Sequence, residues 1–264
     1  MTRVILERDA AVARIVLNQP DAMNAIGPGM AGELSRVVAQ VEHDATVRCI
    51  IVTGAGPHFM AGGDVRYFAE VLALPRDERD AKFSSLISDV GDVVTRLRRM
   101  PKPVIAVVRG AVAGFGLSLM CACDLVVAGE STVCKVAYCQ LGASPDGGGS
   151  FSLPRLLGVR RALELALLDD RIDARRALEL GLVTRLVRDE SVDVAALELA
   201  QRLAGQATAA LGRTKRLIHA SLDNDLASHL EAERLGFLEG LGSEDFAEGV
   251  AAFVAKRRPQ FKGQ

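Results

Sequence analysis

An excess of charge of either sign is absent from this chain, and so is any long hydrophobic run. Its 264 residues include 32 Lys and Arg against 33 Asp and Glu, a formal net charge of -1. A balanced chain creates no overall field that attracts nucleic acid or an anionic membrane surface. The longest apolar stretches, VIAVV and LSLMCACDLVVA, are too short, or too interrupted by Asp124, to cross a bilayer. We therefore expect neither nucleic acid nor a membrane among its partners.

Cysteine and histidine are too few and too scattered to suggest a disulfide framework or a metal site. The cysteines are an odd number at apolar positions with no secretory signal before them: Cys49, Cys121, Cys123, Cys134 and Cys139. The four histidines have no metal-ligand spacing: His43, His58, His219 and His229. We expect structural thiols, no metal, and a reducing cytoplasm as the setting.

The apolar patterns that are present predict an α/β core. The segment RVILERDAAVARIVLNQP predicts an antiparallel hairpin ending at Pro20, and the next segment predicts a helix with Pro28 in its first turn. Buried strands are predicted at 48–54, 102–110 and 123–129, and helices at 82–100 and 116–122. Strands and helices alternate at about one ββα unit per repeat, which favours an α/β fold.

The pattern becomes helical from about residue 150, with one short predicted strand, LVTRLV. No low-complexity linker separates this part from the core. We predict a ββα core with the active site over residues 1–195 and a helical region for oligomerisation over 196–264.

Two familiar motifs are incomplete in this chain. TGAG at 53–56 follows a strand, but the third glycine of a dinucleotide-binding fingerprint is replaced by Phe59. A nucleophile elbow at Ser118 would need glycine two residues later, where Met120 stands. Neither a nucleotide cofactor nor a serine hydrolase is supported, and Ser118 is expected to serve helix packing.

Two glycine-rich turns remain, each directly after a predicted strand. In PHFMAGGDVRYF, Ala61, Gly62 and Gly63 form a small-residue corner whose amides no bulky side chain shields. In RGAVAGFGLSLMCACD, Gly114 and Phe115 open a helix, where unpaired amides carry the positive end of the dipole. Two such turns facing each other would form an oxyanion hole. Alternatively, each is a tight loop that needs positive φ angles.

Taken together and in order, five segments resemble one family. They are NQPDAMNAI, HFMAGGD, KPVIAVVRGAVAGFGLSLMCACDLVVA, LGASPDGGGSFSLPRLLG and EGVAAFVAKRRPQFKG. Over essentially its full length the chain resembles the crotonase (enoyl-CoA hydratase/isomerase) superfamily. The resemblance implies a spiral of ββα units with a helical C-terminal trimerisation region, assembled as a homotrimer or a dimer of trimers. It also implies acyl-CoA thioester substrates, with coenzyme A part of the substrate and no separate cofactor.

The resemblance also implies roles for particular residues. The amides of Ala61 and Phe115 would hold the thioester oxygen as it becomes an enolate. The implied substrate contacts are Ala22, Met23, Ala25, Gly62, Gly63, Asp64, Val65, Gly114, Ala137, Tyr138 and Leu141. Family members often have a basic residue where Asp21 stands. The candidates to replace it in binding the CoA phosphates are Arg66, Lys256 and Lys262, with the lysines supplied from a neighbouring subunit. Alternatively, all three are solvated surface charges.

Departures from the family pattern bear on the reaction. Hydratases of the family use two glutamates to activate water, and the aligned residues here are Ser118 and Tyr138. Asp146 stands in a PDxGG turn that resembles that of the isomerases, the phenylacetate-pathway type in particular, where the aspartate shuttles a proton. An apolar pocket is expected around Asp146, lined by Phe115, Leu141 and Phe151. Alternatively, Asp146 caps the helix that begins near Ser150.

The resemblance therefore favours an isomerase that moves the double bond of 3-enoyl-CoA to give 2-enoyl-CoA. Three alternatives stay open: hydration, dehalogenation with an aspartate nucleophile, and a catalytically silent acyl-CoA-binding subunit. The dehalogenating members rely on a tryptophan, and this chain has none.

Overall fold

The computed structural model describes residues 2–263. The strands in this range are β1 Val4–Asp9, β2 Val12–Leu17, β3 Cys49–Gly54, β4 Val104–Val108, β5 Ala111–Ala113, β6 Leu125–Gly129, β7 Val133–Lys135, β8 Ile172–Asp173 and β9 Arg185–Val187. The α-helices are α1 Pro28–His43, α2 Val65–Leu72, α3 Arg76–Arg99, α4 Phe115–Ala122, α5 Gly149–Leu157, α6 Val159–Leu168, α7 Ala174–Glu179, α8 Val192–Ala204, α9 Thr208–Ala220, α10 Leu226–Leu241 and α11 Glu244–Val254.

Six strands form the main sheet, in the order β1-β2-β3-β4-β6-β9. The hairpin of β1 and β2 is antiparallel, as predicted, and every later pairing in this sheet is parallel. Because parallel strands are covered on both faces, their sequences are apolar throughout, which is why the patterns at 48–54 and 102–110 were readable.

The two faces of the sheet bury different residues of the same strand. Ile50 and Val52 of β3 pack into the larger core beneath α1 and α3. Cys49 and Ile51 point the other way and pack against α8, whose Ala196 and Ala200 are buried. The boundary predicted at residue 195 therefore falls inside a helix that covers the sheet, and the core extends to the end of α8.

A small second sheet, in the order β5-β7-β8, stands beside the carboxyl end of β4. Isolated parallel bridges pair Met60 with Val112 and Ile26 with Gly63, so the glycine turn after β3 is joined to β5 and to the segment before α1. The sequence did not predict these strands, because two or three residues are too few to show a period. They hold together the turns that line the cavity described below.

Helices α9, α10 and α11 confirm the predicted helical C-terminal part. Lys215 on α9 bonds Asp124, which lies between α4 and β6 in the core, with Nζ 2.8 Å from Oδ2. Many of their apolar side chains remain outside the core, and Phe253 is 86% exposed. No helix within residues 2–263 has both the length and the apolar composition to cross a membrane.

The cysteines behave as structural thiols at most positions. Burial raises the pKa of Cys49, Cys121 and Cys134 to about 12, so these thiols stay protonated near neutrality. Cys139 differs from the prediction of an apolar site, because it lies exposed in a short 3-10 helix.

Candidate active site

A cavity of about 800 Å³ opens where the turns after β3 and β5 meet α2 and α3. Parallel strands end together, so the loops that follow them converge at one edge of a sheet, which is the usual place for ligands in α/β folds. The residues that line it are Ile26, Ala61, Gly62, Gly63, Val65, Phe68, Leu72, Phe83, Leu86, Ile87, Val90, Gly114, Phe115, Ala137, Tyr138, Leu141, Gly142, Ala143, Ser144, Pro145 and Asp146.

The two glycine turns face each other, as predicted. A Cβ atom added to Gly62 would lie 3.2 Å from the Ala113 carbonyl oxygen and 3.5 Å from the Gly114 Cα atom. Gly62 and Gly114 also have φ angles of +101° and +53°, so the turns need glycine for their backbone conformation as well as for their close approach.

In the first turn, the amide predicted to be catalytic is that of Ala61, and it already makes a hydrogen bond to another segment. Its N–H donates to the Met23 carbonyl oxygen at 3.0 Å, so the prediction that Ala61 supplies an oxyanion donor is wrong. Asp64 N–H is also used, because it donates to the Ile26 carbonyl oxygen at 2.9 Å. The amides of Gly62 and Gly63 lie between them, and neither donates a hydrogen bond among the described residues. Gly63 forms the parallel bridge to Ile26, in which its own amide points away from the partner segment. It has no acceptor among the described residues and lines the cavity.

The second turn presents the amide of Phe115. Phe115 is the first residue of α4, so its N–H has no partner inside the helix. The neighbouring Gly114 amide is already used, because it donates to the Lys135 carbonyl oxygen at 3.1 Å. The oxyanion donors that the structure favours are therefore the amides of Gly63 and Phe115. The prediction had named Ala61 in the place of Gly63.

Asp146 lies at the cavity wall on a turn that packs directly on Phe115. Gly147 has a φ of +43°, and a Cβ atom there would lie 2.4 Å from the Phe115 ring. The Asp146 carboxylate does not cap α5, because the N-cap position is Gly148 and no side chain bonds to it. The capping alternative is therefore wrong. The carboxylate instead accepts a hydrogen bond from the Tyr138 hydroxyl, and the distance from Tyr138 Oη to Asp146 Oδ1 is 2.5 Å.

Tyr138 remains a neutral phenol at this position. Burial raises its pKa above the usual value, and the charge and hydrogen bond of Asp146 raise it further, whereas the Ser118 hydroxyl lowers it. The preceding residue, Ala137, has a φ of +61°, and its amide donates to Oδ1 of the buried Asp169 at 2.6 Å. The main chain before Tyr138 is thus held in place from outside the cavity.

The remaining walls are apolar, and sequence reasoning missed most of them. They come from α2 and α3 and consist of Phe68, Leu72, Phe83, Leu86, Ile87 and Val90. The rings of Phe68 and Phe83 meet edge to face, with centroids 5.2 Å apart. The helical spacing of the four α3 residues was the signal that could have found them.

Some predicted contacts lie away from the cavity. Phe151 is one of them, because it is 42% exposed and stacks on Arg155, whose guanidinium carbon is 3.6 Å from the ring centroid. The other predicted substrate contacts that do not line the cavity are Ala22, Met23, Ala25 and Asp64. Asp64 instead caps α2, because its side chain accepts hydrogen bonds from the amides of Arg66 and Tyr67.

The structure does not bring the three phosphate candidates together. Arg66 is exposed in the first turn of α2. Lys262 pairs with Glu244 at 3.0 Å, and the segment beyond it packs on Arg48, which precedes β3. The cavity lies beyond the other end of β3, so Lys256 and Lys262 do not line it within one subunit.

Comparison with known proteins places this geometry in a family. The model of the enoyl-CoA hydratase/isomerase family matches residues 7–264. The chain is 36% identical to the 1,2-epoxyphenylacetyl-CoA isomerase of Escherichia coli and 35% identical to a probable enoyl-CoA hydratase of Bacillus subtilis, with all of each chain covered. Among solved structures, an enoyl-CoA hydratase from a Polaromonas species superimposes with a TM-score of 0.92 at 34% identity, over 98% of this chain and 99% of that one. These matches confirm the resemblance and the crotonase-like α/β fold, and the chain belongs to the enoyl-CoA hydratase/isomerase family.

Proposed function

We propose that this enzyme shifts the double bond of 3-enoyl-CoA substrates to give 2-enoyl-CoA, with Asp146 as the base. One observation carries the proposal: Asp146 is the only carboxylate among the described residues that line the cavity. Ser118 and Tyr138 stand where hydratases of the family have glutamates, and neither is a carboxylate base. One carboxylate suffices to move a proton between two carbons, whereas adding water requires groups that also position and activate the water.

The proposed chemistry uses a single proton and no outside reactant. The Asp146 carboxylate takes a proton from C2, and the C–H electron pair moves into a dienolate whose negative charge rests largely on the thioester oxygen. The amides of Gly63 and Phe115 donate hydrogen bonds to that oxygen, and one such donor contributes roughly 3 to 4 kcal/mol to the barrier reduction. The Asp146 carboxyl group then returns the proton to C4, which leaves the double bond between C2 and C3.

A direct assay tests the reaction and the base together. We expect the wild-type enzyme to isomerise a 3-enoyl-CoA much faster than it hydrates crotonyl-CoA. Asp146→Asn should lower isomerase turnover by about a hundredfold or more, because it keeps the size of the side chain but removes the base. Asp170→Asn, at an exposed position outside the cavity, is the matched control and should keep full activity. Equal rates of hydration and isomerisation in the wild type, or an active Asp146→Asn variant, would overturn the proposal.

Cyclic acyl groups are a second substrate class that a specific observation favours. The 1,2-epoxyphenylacetyl-CoA isomerase is similar to this chain over its whole length, and the cavity has the apolar Phe68 and Phe83 side by side in one wall. Aromatic, apolar walls suit a cyclic acyl group. Turnover of 1,2-epoxyphenylacetyl-CoA, measured beside a linear 3-enoyl-CoA of similar size, decides between the two substrate classes.

We further propose that coenzyme A supplies much of the binding energy, with Arg66 and, from a neighbouring subunit, Lys256 and Lys262 binding its phosphates. Binding energy from a part of the substrate remote from the reaction can be used at the reacting carbons. The enzyme should therefore bind an acyl-CoA more tightly than the free acid in a calorimetric titration. Equal affinities would contradict this. We place the working enzyme in the cytoplasm as a homotrimer or a dimer of trimers.

A further inference from the structure

Tyr138 and Asp146 form a joined pair at the cavity wall. We infer that Tyr138 is a positioning residue, whose hydroxyl holds one oxygen of the Asp146 carboxylate so that the other oxygen serves as the proton acceptor. The inference rests on the proposed isomerase function and adds a second side chain to its machinery. It gives a role to a residue that stands where hydratases of the family have a glutamate.

The contact is specific to one carboxylate oxygen. Tyr138 Oη lies 2.5 Å from Asp146 Oδ1, and both residues line the cavity and are partly buried. Oδ2 accepts no hydrogen bond from the described residues. A carboxylate with one oxygen bound has one free acceptor in a defined direction, which is what proton transfer at a fixed carbon requires.

The phenol suits this task because it stays protonated. Its raised pKa keeps Tyr138 a hydrogen-bond donor at neutral pH. A glutamate in its place would put a second negative charge beside Asp146 and oppose the ionised form of the base. Tyrosine therefore supplies a hydrogen bond without competing for the proton.

Residues outside the cavity hold the phenol in place. The Ser118 hydroxyl of α4 is close enough to lower the pKa of Tyr138, and Asp169 accepts a hydrogen bond from the amide of the preceding Ala137 at 2.6 Å. Ser118 is buried in α4, next to the free amide of Phe115. The turn that carries Asp146 packs against the same helix, because a Cβ atom on Gly147 would lie 2.4 Å from the Phe115 ring and 3.5 Å from Ser118 Cβ.

Removing the hydroxyl tests the inference in catalysis. Tyr138→Phe keeps the ring, and we expect it to lower kcat about tenfold while changing KM less than about twofold. Without its hydrogen bond the ionised carboxylate is less favoured, so the acidic limb of the kcat profile should move to higher pH by about half a unit or more. Tyr67→Phe removes the only other tyrosine and is the control, because its hydroxyl makes no hydrogen bond among the described residues.

A second measurement needs no activity. In the Tyr67→Phe background Tyr138 is the only tyrosine, so a protein labelled with ¹³C at tyrosine Cζ gives one resonance that needs no further assignment. This resonance should shift on acidification as Asp146 takes up a proton, and the step should be absent in Asp146→Asn. A double-mutant cycle completes the test, since Tyr138→Phe should have no further effect on kcat once Asp146 is Asn.

The outcomes separate the pairing from the reaction. The positioning role alone is overturned if the enzyme is an active isomerase and Tyr138→Phe leaves its kcat and pH profile unchanged. It is also overturned if the Tyr138 resonance titrates in the same way in the presence and absence of the Asp146 carboxylate. A coupled resonance in a protein without isomerase activity overturns the proposed function and, with it, the catalytic purpose of the pair. A coupled resonance with a shifted acidic limb supports both.

Discussion

Ala61 and Gly63 belong to the same turn, yet their amides differ in what they can bind. The Ala61 amide donates a hydrogen bond to the Met23 carbonyl oxygen. The Gly63 amide is free, because in the parallel bridge to Ile26 it points away from the partner segment. In a regular extended strand, amides two residues apart point to the same side, but Gly62 between them has a φ of +101° and breaks that geometry. The donor in such a turn is therefore decided by which residue pairs with the neighbouring segment.

Gly147 offers a sharp test of how closely the Asp146 turn must approach Phe115. Gly147→Ala should lower isomerase activity tenfold or more, because the added Cβ would lie 2.4 Å from the Phe115 ring and move the base. Gly158→Ala is the matched control, since Gly158 also has a positive φ of +77° but nothing within 4 Å of an added Cβ. The control should lose only roughly 1 to 2 kcal/mol of unfolding free energy and keep its activity. Equal activity loss in both variants would contradict the prediction.

Asp44 gives stability a dependence on pH. Hydrogen bonds from the Thr46 hydroxyl and amide, together with the Arg8 guanidinium, lower the pKa of Asp44 from 3.8 to about 2. Because the folded-state pKa lies below the unfolded value, the stabilisation is complete above about pH 4 and is lost as the pH falls towards 2. Asp44→Asn should therefore lower the urea midpoint at pH 7 and lower it less at pH 3. A difference that stays constant between these pH values would refute the explanation.

Helix α9 is joined to the core through the charged side chain of Lys215 and through other polar contacts, including that of Arg48 with Thr208. Lys215 Nζ donates to Asp124 Oδ2 and to the Leu97 carbonyl oxygen, each at 2.8 Å. Burial nevertheless raises the pKa of Asp124, so this carboxylate depends on its cation to stay ionised. The contact ties the C-terminal helices to the segment between α4 and β6.

Breaking this contact should destabilise the fold without touching the cavity. Lys215→Met leaves the partly buried Asp124 without its cation and should cost at most roughly 3 to 5 kcal/mol in denaturant unfolding. Adding Asp124→Asn removes the unpaired charge, so the double variant should recover part of that loss. If the double variant is as unstable as the sum of the single ones, the ion pair is not the cause.

The whole molecule has apolar surface that one chain does not cover. Phe253 and Val254 at the end of α11 are 86% and 77% exposed, and Phe237 on α10 is 63% exposed. Large exposed apolar side chains that cluster on a subunit often mark a protein–protein contact, and closed symmetric oligomers bury such surfaces. These helices support the predicted oligomerisation region.

Light scattering after gel filtration measures this assembly directly. We expect the mass of a trimer or a dimer of trimers for the wild type and smaller species for Phe253→Glu. Lys82→Glu, at an exposed position on α3 distant in sequence from the C-terminal helices, is the control and should keep the native mass. A monodisperse wild-type monomer at micromolar concentration would contradict the prediction.

The strands of the main sheet, most of the helices and the two glycine turns could be predicted from the sequence because their signals are local. Ile50 and Ile51 of β3 are buried on opposite faces of the sheet, so the strand appears in the sequence as a continuous apolar run. Helix α4 begins at Phe115, where the neighbouring glycines predicted a helix start. The place of Asp146 at the cavity was also predicted, through the resemblance of its short, continuous glycine-rich turn to that of the isomerases. Local periods and turn chemistry do not depend on distant contacts.

Distant contacts decided the rest. The choice of Gly63 over Ala61, the exclusion of Phe151 from the cavity and the bond between Tyr138 and Asp146 each depend on segments that only the fold brings together. A side chain's partner is set by the packing of whole elements, whereas its helical or extended state is set mainly by its neighbours in the chain. The elements therefore follow from the sequence pattern, and the chemistry at the cavity follows from how those elements pack.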